Sequence, residues 1–141
     1  MKINGWTILF HPLFSNQRQK ILDRVKSLRS RLSSKDFVCH PQVKLLKALT
    51  VGIEEKIPQD SLASYFALKK PLQKYSRLKK MGLPNRYRLF FKVFPEQKTI
   101  IILWLGFPRK EGDKKDCYRI FSKMVQQGQF PLVLEDIAKF Y

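Results

Sequence analysis

Residues 86–107 read RYRLFFKVFPEQKTIIILWLGF, and this stretch decides the fold. It holds two runs rich in aromatic and β-branched residues, 86–94 and 98–107, separated by Pro95-Glu96-Gln97. Two such runs with a short turn between them are typical of an antiparallel hairpin. From Ile100 to Leu105 the second run has no polar alternation, which predicts a central strand with both faces covered.

Two further strands are predicted upstream of this hairpin. Residues 72–80 have strand character, and the turn residues 82–85 (GLPN) connect them to residue 86. Residues 6–10 (WTILF) are short, β-branched and aromatic, and the following His11-Pro12 pair disfavours helical geometry at His11. The sequence therefore predicts a mainly antiparallel sheet of about four strands.

The remaining segments have helical periodicity. Apolar residues recur at spacings of three and four in 15–32 and again in 41–58, with a polar link at 33–36. Residues 61–68 fit either a short helix or a loop. A later helix is predicted to begin at Asp113 or Asp116 and to end at Gly128, and residues 131–141 can form a last short helix. We expect one α+β domain spanning residues 1–141, with helices packed on one face of the sheet.

Composition points to a folded protein with a polyanionic partner. Hydrophobic residues make up 44% of the 141 residues and aromatics 13%, enough to form a core. The chain carries 28 Lys and Arg against 11 Asp and Glu, a formal net charge of +17. Such self-repulsion is tolerated chiefly where a polyanion neutralises it, so nucleic acid is the first candidate.

The sequence does not support a membrane protein, a secreted protein or a metal-binding protein. The longest apolar run, 100–107, has eight residues and is too short to span a bilayer. The first residues lack the apolar stretch and cleavage site of a signal peptide, so we expect a cytoplasmic protein. Cys39 and Cys117 lie far apart without ligand-like spacing, which predicts free thiols and no metal or other cofactor.

A basic block lies on the predicted hairpin. Residues 61–95 contain no acidic residue, and their cations are Lys69, Lys70, Lys74, Arg77, Lys79, Lys80, Arg86, Arg88 and Lys92. Strand alternation puts Arg88, Phe90 and Lys92 on one face, and cross-strand pairing of Arg77 with Phe90 adds Arg77 and Lys79 to it. Like charges facing each other destabilise a hairpin, so the pattern favours a bound phosphate over a merely solvated face. Phe90 fits either stacking on an RNA base or core packing.

A second basic cluster, Arg109, Lys110, Lys114 and Lys115, follows the central strand and precedes the helix that carries Tyr118. Tyr118 fits either ordinary helix packing or a role at bound RNA. His11 and His40 each precede a proline and have no histidine partner in the sequence, which argues against a mechanism that uses a histidine acid and base.

Residues 85–91 (NRYRLFF) and 116–124 (DCYRIFSKM) resemble the YhaV-type toxins of the RelE superfamily. Residues 4–6 (NGW) and the His11-Pro12 pair are also similar to the beginning of these proteins. The likeness spans nearly the whole chain, although residues 60–72 match poorly. The resemblance implies a RelE-like fold and a type II toxin that cleaves mRNA on the ribosome. It also implies neutralisation by a PrlF-type antitoxin.

The resemblance also implies roles for particular residues. RelE-like enzymes use cations on the hairpin, an arginine in a Tyr-Arg-Leu strand, a basic loop, and often a tyrosine in the last helix. Arg88 matches the strand arginine, Arg77 and Lys79 fall on the hairpin, and Tyr118 matches the helix tyrosine. In the loop 112–116 (GDKKD), the lysine pair is displaced by one position relative to the family's Gly-Lys-Lys pattern. We choose Lys114 as the partner of Arg88.

The mechanism implied is attack of the RNA 2′-hydroxyl on the neighbouring phosphate, without a metal ion. Arginines hold phosphate oxygens by two-point contacts. Neighbouring cations disfavour the charged form of a lysine, and a lysine must be uncharged to act as a base. The candidate catalytic residues are Arg88, Arg86, Lys79, Lys114 and Tyr118. The candidate RNA-binding residues are Arg77, Lys80, Lys92, Lys115, Arg109 and Phe90.

Two alternatives remain from sequence alone. A non-catalytic RNA-binding or ribosome-associated protein would have the same charge and aromatics, and a ParE-type gyrase inhibitor would leave RNA intact. Only turnover of RNA separates these classes from a nuclease.

Overall fold

A five-stranded mixed sheet forms the centre of the protein. The computed structural model describes residues 1–107 and 116–139. The strands are β1 (Lys2–Ile3), β2 (Trp6–Phe10), β3 (Ser76–Leu78), β4 (Arg88–Phe94) and β5 (Thr99–Gly106). Their order is β1-β2-β5-β4-β3; β2 and β5 are parallel, and the other neighbours are antiparallel. β5 is the central strand, as its unbroken apolar run predicts.

In sequence order, most of the helices precede the antiparallel strands β3, β4 and β5, and one follows β5. They are α1 (Pro12–Arg31), α2 (Ser34–Cys39), α3 (Pro41–Val51), α4 (Ile57–Gln59) and α5 (Asp116–Gln126). A π-helical turn, Gly52–Lys56, joins α3 to α4, and 3₁₀ turns form at Ser64–Phe66 and Leu134–Lys139. No helix in the described ranges is long and apolar enough to cross a bilayer.

Both His-Pro pairs begin helices. The ring Nδ1 of His11 accepts from the backbone N–H of Leu13 at 3.1 Å, and His40 does the same for Gln42 at 3.1 Å. The proline that follows each histidine is the first residue of α1 or α3, where its missing N–H costs nothing. The two histidines are therefore helix caps.

Each face of the sheet has its own hydrophobic core. On one face α1 and α3 pack Phe14, Ile21 and Leu49 against Ile100 and Ile102. On the other face α5 and the segment after it cover the sheet; the residues of this second core include Phe90, Phe94, Ile101, Leu103, Cys117, Phe121 and Phe130. The two clusters together bury both faces of β5.

The predicted fold class is confirmed, with differences in detail. The sheet has five strands instead of about four, because residues 2–3 form a hairpin with β2 through Asn4 and Gly5, both at positive φ. Helices cover both faces instead of one, because an all-apolar central strand needs α5 on its second side. The strand predicted at 72–80 is shorter, 76–78, and part of the polar link at 33–36 is helical.

A β-bulge in β5 shapes the face that carries α5. Phe90 pairs with Trp104 whereas Phe91 pairs with Ile102, so β5 has one extra residue at Leu103. Leu103 and Trp104 consequently both contribute to the core under α5. Beyond the bulge Gly106 lies opposite Arg88, the first residue of β4.

Candidate active site

Two arginines from neighbouring strands meet at one tyrosine hydroxyl. Nε of Arg77 on β3 donates to the hydroxyl oxygen of Tyr118 at 3.1 Å, and Nε of Arg88 on β4 donates to the same oxygen at 3.2 Å. Tyr118 lies in the first turns of α5, on the second face of the sheet. We call Arg77, Arg88 and Tyr118 the guanidinium–tyrosine cluster.

The register of β3 and β4 accounts for this convergence. Arg77 pairs with Phe90, as cross-strand pairing predicts. Arg88 lies two residues before Phe90, so both arginines project from the same face as diagonal neighbours. This face is the one covered by α5, which places both guanidinium groups beside its first turns.

A stack of aromatic rings fixes α5 against the sheet. The ring of Phe121 lies parallel to that of Phe90, with centroids 4.1 Å apart and an interplanar angle of 13°. Phe130 and Tyr75 contact the same Phe121 ring at centroid distances of 5.1 and 5.4 Å. Tyr118 precedes Phe121 by three residues, so both occupy one face of α5 and the stack sets the position of the hydroxyl.

Backbone carbonyls hold the outer ends of the two guanidinium groups. One terminal nitrogen of Arg77 donates to the carbonyl of Tyr65 at 2.8 Å. One terminal nitrogen of Arg88 donates to the carbonyls of Asn85 and Tyr87, at 2.6 and 2.8 Å. Among the side chains that the structure describes, those of residues 1–107 and 117–136, no carboxylate contacts either arginine. Each guanidinium also has a second terminal nitrogen, which has no acceptor in the described part of the chain and can bind an anion.

The hydrogen bonds at Tyr118 also leave its proton available. A hydroxyl has two acceptor lone pairs and one O–H donor. Arg77 and Arg88 occupy the two acceptor positions. The O–H group must therefore point away from the two arginines, where it can donate to a molecule bound in front of the cluster.

A groove of about 710 Å³ opens beside the cluster, between β3 and α5. Residues 67–72 form one wall, and Tyr118, Arg119 and Ser122 of α5 form the other. Arg77 and Lys79 line it from the end of β3. Its volume lies within the range of about 300–1,000 Å³ that is usual for sites of small ligands. We call it the β3–α5 groove.

A second hollow of about 320 Å³ lies on the other side of Lys79. It is lined by Tyr65, Phe66, Lys80 and Met81 together with Lys79. The Tyr65 ring packs edge-on against Phe66 at a centroid distance of 4.5 Å and is 54% exposed. Lys79 thus lies between two concave surfaces.

Four of the residues predicted for the site come together in the structure: Arg77, Lys79, Arg88 and Tyr118. Lys80 is exposed in the link after β3, and Arg86 is exposed just before β4. Lys114, Lys115 and Arg109 lie outside the described residues.

Lys92 does not belong to this site, contrary to the prediction. Its side chain is 7% exposed, and its ammonium lies over the rings of Tyr75 and Phe94 at 4.6 and 5.5 Å. Burial lowers the pKa of Lys92, with a further contribution from the charge of Lys74. Alternation places Lys92 on the correct face, but neighbouring aromatic residues, Tyr75 and Phe94, cover its ammonium there.

Phe90 is also not available to an RNA base. It is fully buried and stacks on the rings of Phe121 and Trp104, with centroids 4.1 and 5.7 Å away. Of the two roles open for Phe90 in the sequence, the structure shows core packing. The physical reason is that α5 covers this face of the sheet.

The histidines and cysteines take no part in the cluster. Nε2 of His11 lies 3.0 Å from the carbonyl oxygen of Gln129, and burial lowers the pKa of His11, partly offset by this hydrogen bond. Cys39 is exposed and Cys117 is buried, and no disulfide joins them. Among the described residues, no group of three or more His, Cys, Asp or Glu side chains is arranged to hold a metal ion.

Sequence reasoning missed two features of the site. The carbonyl of Tyr65 orients Arg77, and a backbone group leaves no signal in the residue pattern. Residues 67–72 form a wall of the β3–α5 groove, although they have no regular periodicity. The lysine pair Lys69-Lys70 within the basic block was the available signal for that wall.

A family model matches residues 8–140 of this chain, and it describes a "Toxin with endonuclease activity, of toxin-antitoxin system", YhaV. The "Ribonuclease toxin YhaV" of Escherichia coli strain K12 is 30% identical over 146 aligned residues, covering 98% of this chain and 93% of the relative. "Toxin YhaV" of Escherichia coli O157:H7 matches to the same extent, 30% over 98% of this chain and 93% of that protein.

Solved structures with some similarity come from two organisms. The RelBE2 toxin–antitoxin complex of Mycobacterium tuberculosis aligns with a TM-score of 0.47 and 15% identity, over 74% of this chain and 93% of that chain. The isolated RelE toxin of Escherichia coli aligns with a TM-score of 0.41 and 14% identity, over 86% of this chain and 97% of that chain.

Proposed function

The chain belongs to the YhaV family of toxins with endonuclease activity, and from this premise we propose that its guanidinium–tyrosine cluster cleaves mRNA. The family makes the protein an endoribonuclease of a toxin–antitoxin system. The two non-catalytic alternatives, an RNA-binding protein and a gyrase inhibitor, have no comparable support. The observation that carries the proposal is that two guanidinium groups, with no carboxylate partner among the described side chains, share one tyrosine hydroxyl.

The proposed reaction is an internal phosphoryl transfer. The 2′-hydroxyl oxygen of one nucleotide forms a bond to the adjacent phosphorus, and the bond from phosphorus to the 5′-oxygen of the next nucleotide breaks. One proton leaves the 2′-hydroxyl and one is delivered to the departing 5′-oxygen, so the step needs one base and one acid. The products are a 2′,3′-cyclic phosphate and a 5′-hydroxyl end, and no metal ion enters the step.

The charges of the cluster suit the transition state of this reaction. Negative charge grows on the phosphate oxygens as the 2′-oxygen attacks, and fixed cations in place before the reaction stabilise it without reorganisation. Arg88 and Arg77 are held by backbone carbonyls on one side, and each offers its remaining nitrogen to the phosphate. Arg86, exposed just before β4, adds a further cation for the neighbouring phosphate.

Tyr118 and a lysine take the acid and base roles. The O–H of Tyr118 is the donor that its two arginine partners leave unused, and it protonates the 5′-oxygen. Lys79, half-buried at the edge of the same groove, receives the proton of the 2′-hydroxyl. Lys114 is the alternative base from the resemblance. Lys80, Lys115 and Arg109 contribute contacts to phosphates outside the reacting centre.

The proposal extends to the ribosome and the antitoxin. A net charge of +17 on 141 residues suits a protein that works in the cytoplasm on mRNA held by ribosomal RNA. The family description gives the protein an antitoxin partner, and we propose one of PrlF type. The antitoxin would protect the cell by covering the cluster or by holding the protein away from RNA.

The test is induced expression of wild-type protein and Arg88→Ala, with mRNA 5′ ends mapped across the transcriptome. New ends with wild type, and at least tenfold fewer with Arg88→Ala at equal protein level, are the expected result. If neither protein produces new ends, the nuclease assignment of this chain fails. Repeating the assay with purified protein and RNA, with and without ribosomes, tests ribosome dependence separately.

A further inference from the structure

We infer that the β3–α5 groove binds the nucleotide next to the scissile phosphate of a single-stranded RNA, with its base between residues 67–72 and α5. This inference deepens the proposed function and rests on it. It assigns a binding role to the segment 67–72, which forms a wall of the site.

The groove is continuous with the reacting centre. Arg77 and Tyr118 belong to the cluster, and both also line the groove. A phosphate bound by the two guanidinium groups therefore has the groove directly beside it. The nucleotide attached to that phosphate can therefore enter the groove directly.

The lining of the groove suits a base. Leu68, Pro71 and Leu72 contribute apolar side chains from residues 67–72, and the accessible lining is more apolar than polar. A base in single-stranded RNA presents a flat apolar face that is covered favourably by such side chains. Since the groove holds about 710 Å³, it has room for at least one nucleotide.

The rim of the groove suits the phosphates that flank this base. Lys69 and Lys70 are both exposed on the 67–72 wall, and Lys79 lies across from them at the end of β3. The segment from residue 61 to residue 95 contains no acidic residue to neutralise them. A strand of nucleotides needs an apolar floor for a base and a cationic rim for the phosphates. An apolar peptide would match only the floor, and an acidic peptide only the rim.

A double helix would not use this groove in the same way. In duplex RNA the bases are stacked and paired, and a narrow deep major groove keeps side chains from their faces. Entry of a base between two walls requires a nucleotide that is free to leave its neighbours. We therefore expect single-stranded RNA to bind more tightly than a duplex of the same sequence.

The first test fills the groove. Leu68→Trp places an indole where the base would lie, and Leu62→Trp makes the same change at a leucine that is 63% exposed and outside the groove. Binding is measured with a single-stranded nonamer whose 2′-hydroxyls are methylated, so that it cannot be cut. We expect Leu68→Trp to weaken binding by about tenfold or more, and Leu62→Trp by less than about twofold.

The second test removes the cationic rim without altering the floor. Lys69→Glu/Lys70→Glu is compared with Lys44→Glu/Lys47→Glu, an equal change of charge on exposed lysines of α3, which packs on the opposite face of the sheet. The rim variant should lose about tenfold or more in affinity, and its salt dependence should fall by about one unit of slope for each lysine. If Leu68→Trp fails to fold, the lysine variants still test the inference, because they change only surface residues.

The outcomes separate this inference from the proposed function. If wild type cleaves RNA but the groove and rim variants bind like their controls, the groove is not the base site and the nuclease assignment stands. Equal affinity for single-stranded and duplex RNA would also overturn the inference. If wild type neither binds nor cleaves RNA, the proposed function itself fails.

Discussion

At the scale of single residues, the proposed mechanism depends on one hydroxyl that accepts hydrogen bonds from two cations. Tyr118 could have been an ordinary packing residue, since its ring does pack edge-on against Phe90 at 5.7 Å. Its hydroxyl, however, lies at the meeting point of Arg77 and Arg88. The ring and the hydroxyl thus have different functions, and a substitution that removes only the hydroxyl can tell them apart.

Tyr118→Phe removes the hydroxyl and keeps the ring. We expect the turnover number to fall by about 10²–10⁴-fold, the usual contribution of a positioned acid, with the Michaelis constant changed much less. Single-turnover cleavage of an RNA oligonucleotide measures the chemical step. Unchanged cleavage would exclude the acid role, and a loss confined to RNA affinity would assign Tyr118 to binding.

Lys92→Met tests whether Lys92 lies outside the RNA-binding surface. The ammonium is buried against Tyr75 and Phe94, and burial lowers its pKa, so the charged form is held at a cost. Methionine has similar length and no charge. We expect an equal or higher free energy of unfolding and RNA cleavage within about twofold of wild type. A large loss of RNA affinity in a stably folded variant would return Lys92 to the binding surface.

At the scale of elements, the site depends on how closely α5 approaches β5. A Cβ atom added at Gly106 would lie 2.5 Å from Cζ3 of Trp104 and 3.1 Å from Cβ of Cys117, in the first turn of α5. Gly106 also pairs with Arg88 across the sheet. The absence of a side chain at this position therefore allows α5 and β4 to share the cluster.

Gly106→Ala should separate these two elements. The extra methyl group forces Trp104 and the first turn of α5 outward, which moves the Tyr118 hydroxyl away from Arg88. Overpacking of this kind costs about 1–3 kcal/mol of stability, and a displacement near 1 Å can cost about 10²-fold in rate. Thermal unfolding and cleavage assays measure the two effects. A variant with normal activity would mean that the spacing of α5 and β5 does not position the cluster.

The start of α1 predicts a pH dependence of stability. Burial lowers the pKa of His11 below its ordinary value of 6.5, so the unfolded chain binds more protons than the folded one in that range. This contribution is fully present above about pH 6.5 and is lost as the pH falls toward the folded pKa. We expect a lower unfolding temperature at pH 5.5 than at pH 7.5.

His11→Asn is the matched variant for this effect. Asparagine keeps an acceptor for the N–H of Leu13 but has no titrating group and loses the bond to Gln129. It should be less stable than wild type at pH 7.5 and show a weaker decline toward pH 5.5. An identical decline in both proteins would show that His11 is not its source.

At the scale of the whole molecule, the sequence predicted those features that follow from local patterns. The unbroken apolar run of β5, the pairing of Arg77 with Phe90, and the end of α5 before Gly128 all depend on periodicity or turn chemistry, and all are confirmed. The acid-free segment 61–95 supplied Arg77, Lys79 and Arg88 of the candidate site.

What the sequence could not predict depends on packing between distant segments. Alternation placed Phe90 and Lys92 on the face of the arginines, but only the packing of α5 on Phe90 and of Tyr75 on Lys92 shows that this part of the face is buried. The bulge at Leu103 and the wall formed by residues 67–72 likewise have no local signature. The site is the part of that face which α5 leaves open at its first turns.

The chemistry of the RNA ends distinguishes an internal attack by the 2′-hydroxyl from hydrolysis by water. Purified protein is incubated with an RNA substrate, with ribosomes if they are needed, in the presence of a metal chelator, and the termini of the products are identified. We predict a 2′,3′-cyclic phosphate on one fragment and a 5′-hydroxyl on the other, and no cleavage where the attacking nucleotide is a 2′-deoxynucleotide. Fragments with a 5′-phosphate and a 3′-hydroxyl would contradict an internal attack driven by Arg77, Arg88 and Tyr118.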